Sequence, residues 1–200
     1  MAIHFEEQEL ADRRARACAS MNADRLDGLL MFRQESMYYL SGYDTFGYVF
    51  FQCLLLTQDG KMTLLTRAPD LRQAQNTSVI KDIRIWVDRP DADPASELHD
   101  ILKEHGLSGK TLGVEYDAYG LTAANGKRLE SAMDGFCTLR DASQLVTKLR
   151  VIKSPAEIAY VRRAAELADD ALDAAIATAA PGVSEGSVLA AMQGAVFEGG

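Results

Sequence analysis

Ser154, Pro155 and Glu157 stand together where the hydrophobic pattern of this 200-residue chain changes character, and no other feature constrains the fold as much. Serine can cap a helix, and proline fits the first helical position because an amide hydrogen there would lack a partner anyway. A glutamate three residues after the serine can reach back to the serine amide, closing a capping box. Before this point, short apolar runs of strand length alternate with helical patterns. After it, apolar residues recur only at steps of three and four. The chain is therefore predicted to divide into an α/β domain over residues 1–150 and a helical segment over residues 151–200.

Within the first part, Glu6 to Met21 reads as an amphipathic helix with Leu10, Ala17 and Met21 near one face. Asp27 to Phe32 reads as a buried strand, and Glu35 to Leu40 as one or two helical turns ended at Ser41-Gly42. Val49 to Thr57 and Met62 to Thr66 flank Gln58-Asp59-Gly60-Lys61, which predicts a hairpin through its Asp-Gly turn. Helices are expected over Pro69–Gln75, Asp93–Glu104 and Leu121–Met133, with strands over Ile83–Val87, Thr111–Glu115 and Phe136–Leu139. Ala142 to Leu149 is expected to add a helical turn or two before the junction. One hairpin among such alternating elements argues for a mixed sheet.

Past Ser154, the residues Ile158, Val161, Ala165, Ala168, Leu172 and Ile176 mark one face of a long helix that ends at Pro181-Gly182. Val188, Leu189, Met192 and Val196 do the same for a second helix over Ser184–Phe197. Each large aliphatic side chain left in water forgoes roughly 1.5–3 kcal/mol, so these faces call for a covering surface. That surface is the front domain, another chain, or the remainder of a larger domain.

A net charge of −8, with Lys and Arg scattered, repels nucleic-acid backbones and anionic membranes, so neither is an expected partner. The longest strongly apolar run, Tyr48 to Leu56, is too short to span a bilayer. Met1 to Glu9 shows no secretory pattern, and a cytoplasmic location is expected. Cys18, Cys53 and Cys137 lie far apart in unrelated contexts, which fits reduced packing residues in a reducing compartment.

Self-sufficient catalytic signatures are missing. There is no Cys-x-x-Cys pair, nucleophile elbow, phosphate loop or dinucleotide fingerprint. His99 and His105 do not share a helix face, and Asp88, Asp91 and Asp93 read as a solvated turn and helix cap. One segment resists so plain a reading. Ser36 to Tyr48 places four tyrosines and Phe46 around Gly42 and Gly47. Aromatic rings on a glycine-hinged loop offer large contact area at small entropic cost. Tyr38, Tyr39 and Leu40 are expected to pack the core, whereas recognition and packing are both open for Tyr43, Asp44, Phe46 and Tyr48.

Two separated motifs converge on a family. Tyr38-Tyr39-Leu40-Ser41-Gly42-Tyr43, followed by an apolar strand, resembles a segment of the creatinase/prolidase amino-terminal domain. Leu149-Arg150-Val151-Ile152-Lys153-Ser154-Pro155-Ala156-Glu157-Ile158, continued by Val161-Arg162-Arg163-Ala164-Ala165, resembles the junction of the same pita-bread metallohydrolases. The resemblance spans essentially the whole chain and is nearest to bacterial Xaa-Pro dipeptidase-like members. It implies a mixed-sheet α/β domain followed by the first two helices of a truncated pita-bread domain. It also implies a catalytic domain with two divalent metal ions past Gly200, where a metal-bridged hydroxide attacks an amide carbon. No residue of this chain matches those metal ligands, and creatinase itself works without metal.

The resemblance further implies a homodimer in which the front domain lends a loop to the neighbouring active site. By position that role falls on Tyr43, Asp44, Phe46 and Tyr48. Creatinase carries a basic residue in this region, whereas this chain has Asp44 and no Arg or Lys between Arg33 and Lys61. An acidic side chain suits a substrate ammonium. Three functions stay open: the amino-terminal part of a Xaa-Pro dipeptidase-like enzyme acting on a small peptide, the same scaffold in an ectoine- or creatine-type amidohydrolase, and a free-standing dimerisation or binding module.

Overall fold

The structure, a computed structural model, describes residues 3–199. Contacts divide the chain into two compact units, Met1–Val151 and Ile152–Gly200. The strands of the first unit are β1 (Gly28–Met31), β2 (Cys53–Thr57), β3 (Met62–Arg67), β4 (Asp82–Trp86), β5 (Thr111–Val114) and β6 (Thr138–Asp141). They form one mixed sheet in the order β4-β3-β2-β1-β5-β6. Only β2 runs against its neighbours; the pairs β1–β5, β3–β4 and β5–β6 are parallel.

Chemistry of the connections explains that pattern. The Asp-Gly turn reverses the chain between β2 and β3, with the Thr57 amide donating to Lys61 O at 3.0 Å. Parallel neighbours need crossovers instead, and helices supply them. The helices of this unit are α1 (Glu7–Ala23), α2 (Gln34–Ser41), α3 (Leu71–Thr77), α4 (Pro94–Glu104), α5 (Ala123–Met133) and α6 (Leu145–Val151).

Both sheet faces are covered, which is why the central strands read as unbroken apolar runs. Alternate residues take alternate sides. Leu30, Phe32, Cys53, Leu55 and Leu112 pack with Leu98, Ile101 and Leu102 of α4 and with Leu129 and Met133 of α5. Leu29, Met31, Leu54, Leu56 and Leu64 pack with Ala17 and Met21 of α1, Met37 and Leu40 of α2, and Val146 of α6.

Two expected strands differ. The run expected from Val49 becomes a short 3-10 turn at Gly47–Val49, and β2 begins only at Cys53. The ladder with β3 ends at the Cys53–Leu65 pair, so residues before it have no partner strand. The strand expected over Phe136–Leu139 lies at Thr138–Asp141, because register with β5 pairs Thr111 with Thr138 and Val114 with Asp141.

In the second unit, α7 (Pro155–Thr178) and α8 (Glu185–Gly199) pack on one another. The capping box is present: Glu157 N donates to Ser154 Oγ at 3.1 Å, and Ser154 N donates to Glu157 Oε2 at 2.8 Å. Only Ala171 of the two helices is buried. Val161, Leu172, Ile176, Leu189 and Phe197 are all exposed.

Candidate functional site

Because β1, β3 and β5 run the same way, their carboxyl ends share one sheet edge, and the segment entering antiparallel β2 starts there too. In open α/β sheets this edge is the usual place for ligands. It gathers the loop at residues 42–52, the β1–α2 corner, and the turns after β3 and β5.

The loop separates its aromatic residues. Tyr43 is fully buried, its hydroxyl donating to Gln52 Oε1 at 3.0 Å and lying 3.3 Å from Thr66 Oγ1. Of the two roles left open for Tyr43, the structure shows packing: the core and a satisfied hydroxyl hold it inside, and burial pushes its phenol up from the ordinary value. Asp44 is exposed, while its backbone amide donates to Thr77 Oγ1 at 3.2 Å. Phe46 is 88% exposed at the tip. Tyr48 is partly exposed and meets Tyr119 edge to face, with centroids 6.2 Å apart.

The backbone between these side chains is pinned. Thr45 is buried; its carbonyl accepts from Gln34 Nε2 at 3.0 Å and its hydroxyl accepts from Gly47 N at 2.8 Å. A Cβ on Gly47 would run into the Gln52 amide nitrogen and come within 2.6 Å of Asp70 Oδ2. On the other flank, a Cβ on Gly120 would lie 2.5 Å from Phe50 O and 3.0 Å from Tyr48 O, so glycine alone allows the two loops this approach. The Arg67 guanidinium covers the Phe50 ring at 3.7 Å.

Tyr48, Val49 and Tyr119, together with Phe32, Arg33, Gln34 and Glu35, line a cavity of about 510 Å³. Both arginines beside the loop are already paired. Arg33 contacts Asp117 at 2.5 Å and donates to Thr147 Oγ1 at 2.7 Å, and Arg67 holds Asp88 at 2.6 Å. Both arginines thus have carboxylate partners other than Asp44.

Beneath the cavity lies Glu115, fully buried just past β5. It accepts from Phe32 N at 3.2 Å, Arg33 N at 3.0 Å and Ser36 Oγ at 2.5 Å, tying the β1–α2 corner to β5. Burial raises its pKa to about 7 despite those donors.

Sequence reasoning singled out the loop but missed Arg33, Gln52, Asp70, Glu115 and Tyr119. Tyr119-Gly120, just beyond an apolar strand that runs parallel to β1, was the available signal. Among the described residues, no group of three or more His, Cys, Asp or Glu side chains could hold a metal ion. They therefore do not fit the two divalent metals the resemblance implies. His105 Nε2 instead lies 2.9 Å from Thr63 Oγ1, and the His99 ring meets Phe136 at a tilt of 58°, with centroids 4.4 Å apart. Among the described residues no helix is long and apolar enough to cross a membrane.

Residues 13–152 match the model of the creatinase/prolidase N-terminal domain, so the chain belongs to that family. A hydrolase/peptidase of Sinorhizobium fredii is 33% identical over 98% of this chain and 52% of its own length. An ectoine hydrolase of Halomonas elongata is 29% identical, covering 84% of this chain and 43% of its own. The solved Xaa-Pro dipeptidase from Bacillus anthracis superposes with a TM-score of 0.74 at 24% identity, over 96% of this chain and 50% of that one, which shows the shared fold. This chain thus spans about half the length of the relatives it matches.

Proposed function

We propose that this chain is the amino-terminal, non-catalytic part of a Xaa-Pro dipeptidase-like hydrolase that cleaves C–N amide bonds in small peptides. In this reading it shapes the substrate site and helps form a homodimer, while residues outside this chain hold two divalent metal ions. The observation that carries it is the loop itself: Phe46 is 88% exposed between the buried residues Thr45 and Gly47. An exposed aromatic on a pinned backbone is the arrangement of a recognition anchor. The family match and the peptidase relatives support the reaction class. Three free cysteines agree with a cytoplasmic location.

A second reading keeps the scaffold and changes the substrate, since one relative hydrolyses ectoine. The test is to purify the full open reading frame containing these residues and assay it with divalent metals on a Xaa-Pro dipeptide, creatine and ectoine. Preferential turnover of the dipeptide is expected; turnover of ectoine or creatine alone moves the assignment to the second reading. Hydrolysis of none of the three would overturn both.

A further inference from the structure

We infer that Gln52 and Asp70 are positioning residues that hold the Phe46 tip in its presented conformation, a reading that rests on the substrate-facing role proposed above for the loop. Gln52 is 2% exposed, yet it lies between the apolar residues Phe51 and Cys53 at the start of β2. Its carbonyl oxygen accepts from the Tyr43 hydroxyl at 3.0 Å, and its amide nitrogen donates to Asp70 Oδ2 at 3.3 Å. Burying an amide is unfavourable unless both ends are bonded, and here both are. An aliphatic side chain would fill the same space without that demand.

What the polar choice achieves is placement. The ends of Gln52 and Asp70 lie directly against Gly47, so close that a methyl group there would displace them. They set where the Gly47 backbone rests, one residue from Phe46. Thr45 fixes the other side through its bonds to Gln34 and Gly47. Exposing a phenylalanine forgoes roughly 1.5–3 kcal/mol of burial, so an unrestrained loop would tuck the ring inward. The clamp keeps the ring presented, and a preformed anchor loses less conformational freedom on binding.

Two substitutions test the clamp by different routes. Gln52→Leu removes both hydrogen bonds while keeping the bulk. Gly47→Ala pushes aside the ends of two flexible side chains with little demand on the backbone, so it reports even if the first variant folds poorly. In the full-length protein, each is expected to speed amide exchange across Phe46–Phe50 about tenfold while β1 and β2 keep their protection. Each is also expected to raise KM for a Xaa-Pro dipeptide about five- to tenfold with kcat little changed, as is Phe46→Ala. Unchanged loop exchange in both variants overturns the clamp. So does a KM raised by Phe46→Ala but by neither clamp variant. Faster exchange with a KM indifferent to Phe46→Ala leaves the clamp standing and overturns the substrate-facing reading.

Discussion

Ser36 Oγ donates to Glu115 at 2.5 Å inside a core where the carboxyl group has no contact with water. The serine lies in the first turn of α2 and the glutamate just past β5, so this bond joins the helix to the end of the strand across the floor of the loop site. Arg33, on the same corner, favours the charged carboxylate, and burial together with the Glu115 charge pushes the Cys53 thiol of β2 up.

Stability should therefore fall as pH rises through neutrality. The carboxyl pKa is 4.5 when exposed and about 7 in the fold, so the native state holds the proton more tightly. Its contribution is complete below pH 4.5 and is lost as pH climbs through about 7, on the order of 3 kcal/mol in total. Urea midpoints between pH 5 and 8 are expected to decline in the wild type and to lose that component in Glu115→Gln. Identical pH profiles for the two proteins would falsify the assignment.

Tyr43→Phe should behave as a core substitution. Loss of the hydroxyl leaves Gln52 Oε1 without its donor, costing about 1–2 kcal/mol. A lower melting temperature is the expected result, whereas full stability with a raised KM would return Tyr43 to the substrate-facing group.

Gly120→Ala should be harsher than Gly47→Ala. The added methyl group meets the carbonyl oxygens of Phe50 and Tyr48, which are backbone atoms that cannot swing away. A loss of about 1–3 kcal/mol is expected from the forced backbone shift, read by chemical denaturation. Equal stability of the two variants would count against the close approach of these loops.

Asp44→Asn bears on the substrate charge. An exposed carboxylate facing a substrate ammonium contributes about 0.2–1 kcal/mol, so KM should rise by a factor of about 1.4 to 5 for substrates with a free amine. An N-blocked substrate should be indifferent, and equal effects on both would remove the ammonium reading.

The helical unit should exchange quickly. Val161, Leu172 and Ile176 of α7 are more than half exposed, and the same helix contributes only Ala171 to the interior. Amides of α7 and α8 are expected to be less protected than those of β1 and β2 in this 200-residue chain. Uniform strong protection in a monomer would show that their faces are covered.

Much of this architecture was legible in local patterns. The capping box at Ser154 and Glu157, the Asp-Gly turn and the apolar runs of β1 and β2 depend on propensity and periodicity, which act over a few residues. The family resemblance rests separately on the residue motifs at Tyr38–Tyr43 and Leu149–Ile158. The fates of Tyr43 and Phe46 were not legible in this way. Both are aromatic, three positions apart, on one glycine-bounded loop. One is buried with its hydroxyl donating to Gln52 and lying beside the Thr66 hydroxyl, and the other is exposed between anchored neighbours. Nor did the sequence mark out Glu115, the last residue of the strand expected over Thr111–Glu115, whose burial depends on the β1–α2 corner closing over it. Local sequence determined the elements and their order; burial in the loop site depends on contacts between distant segments, and only the tertiary structure decided those.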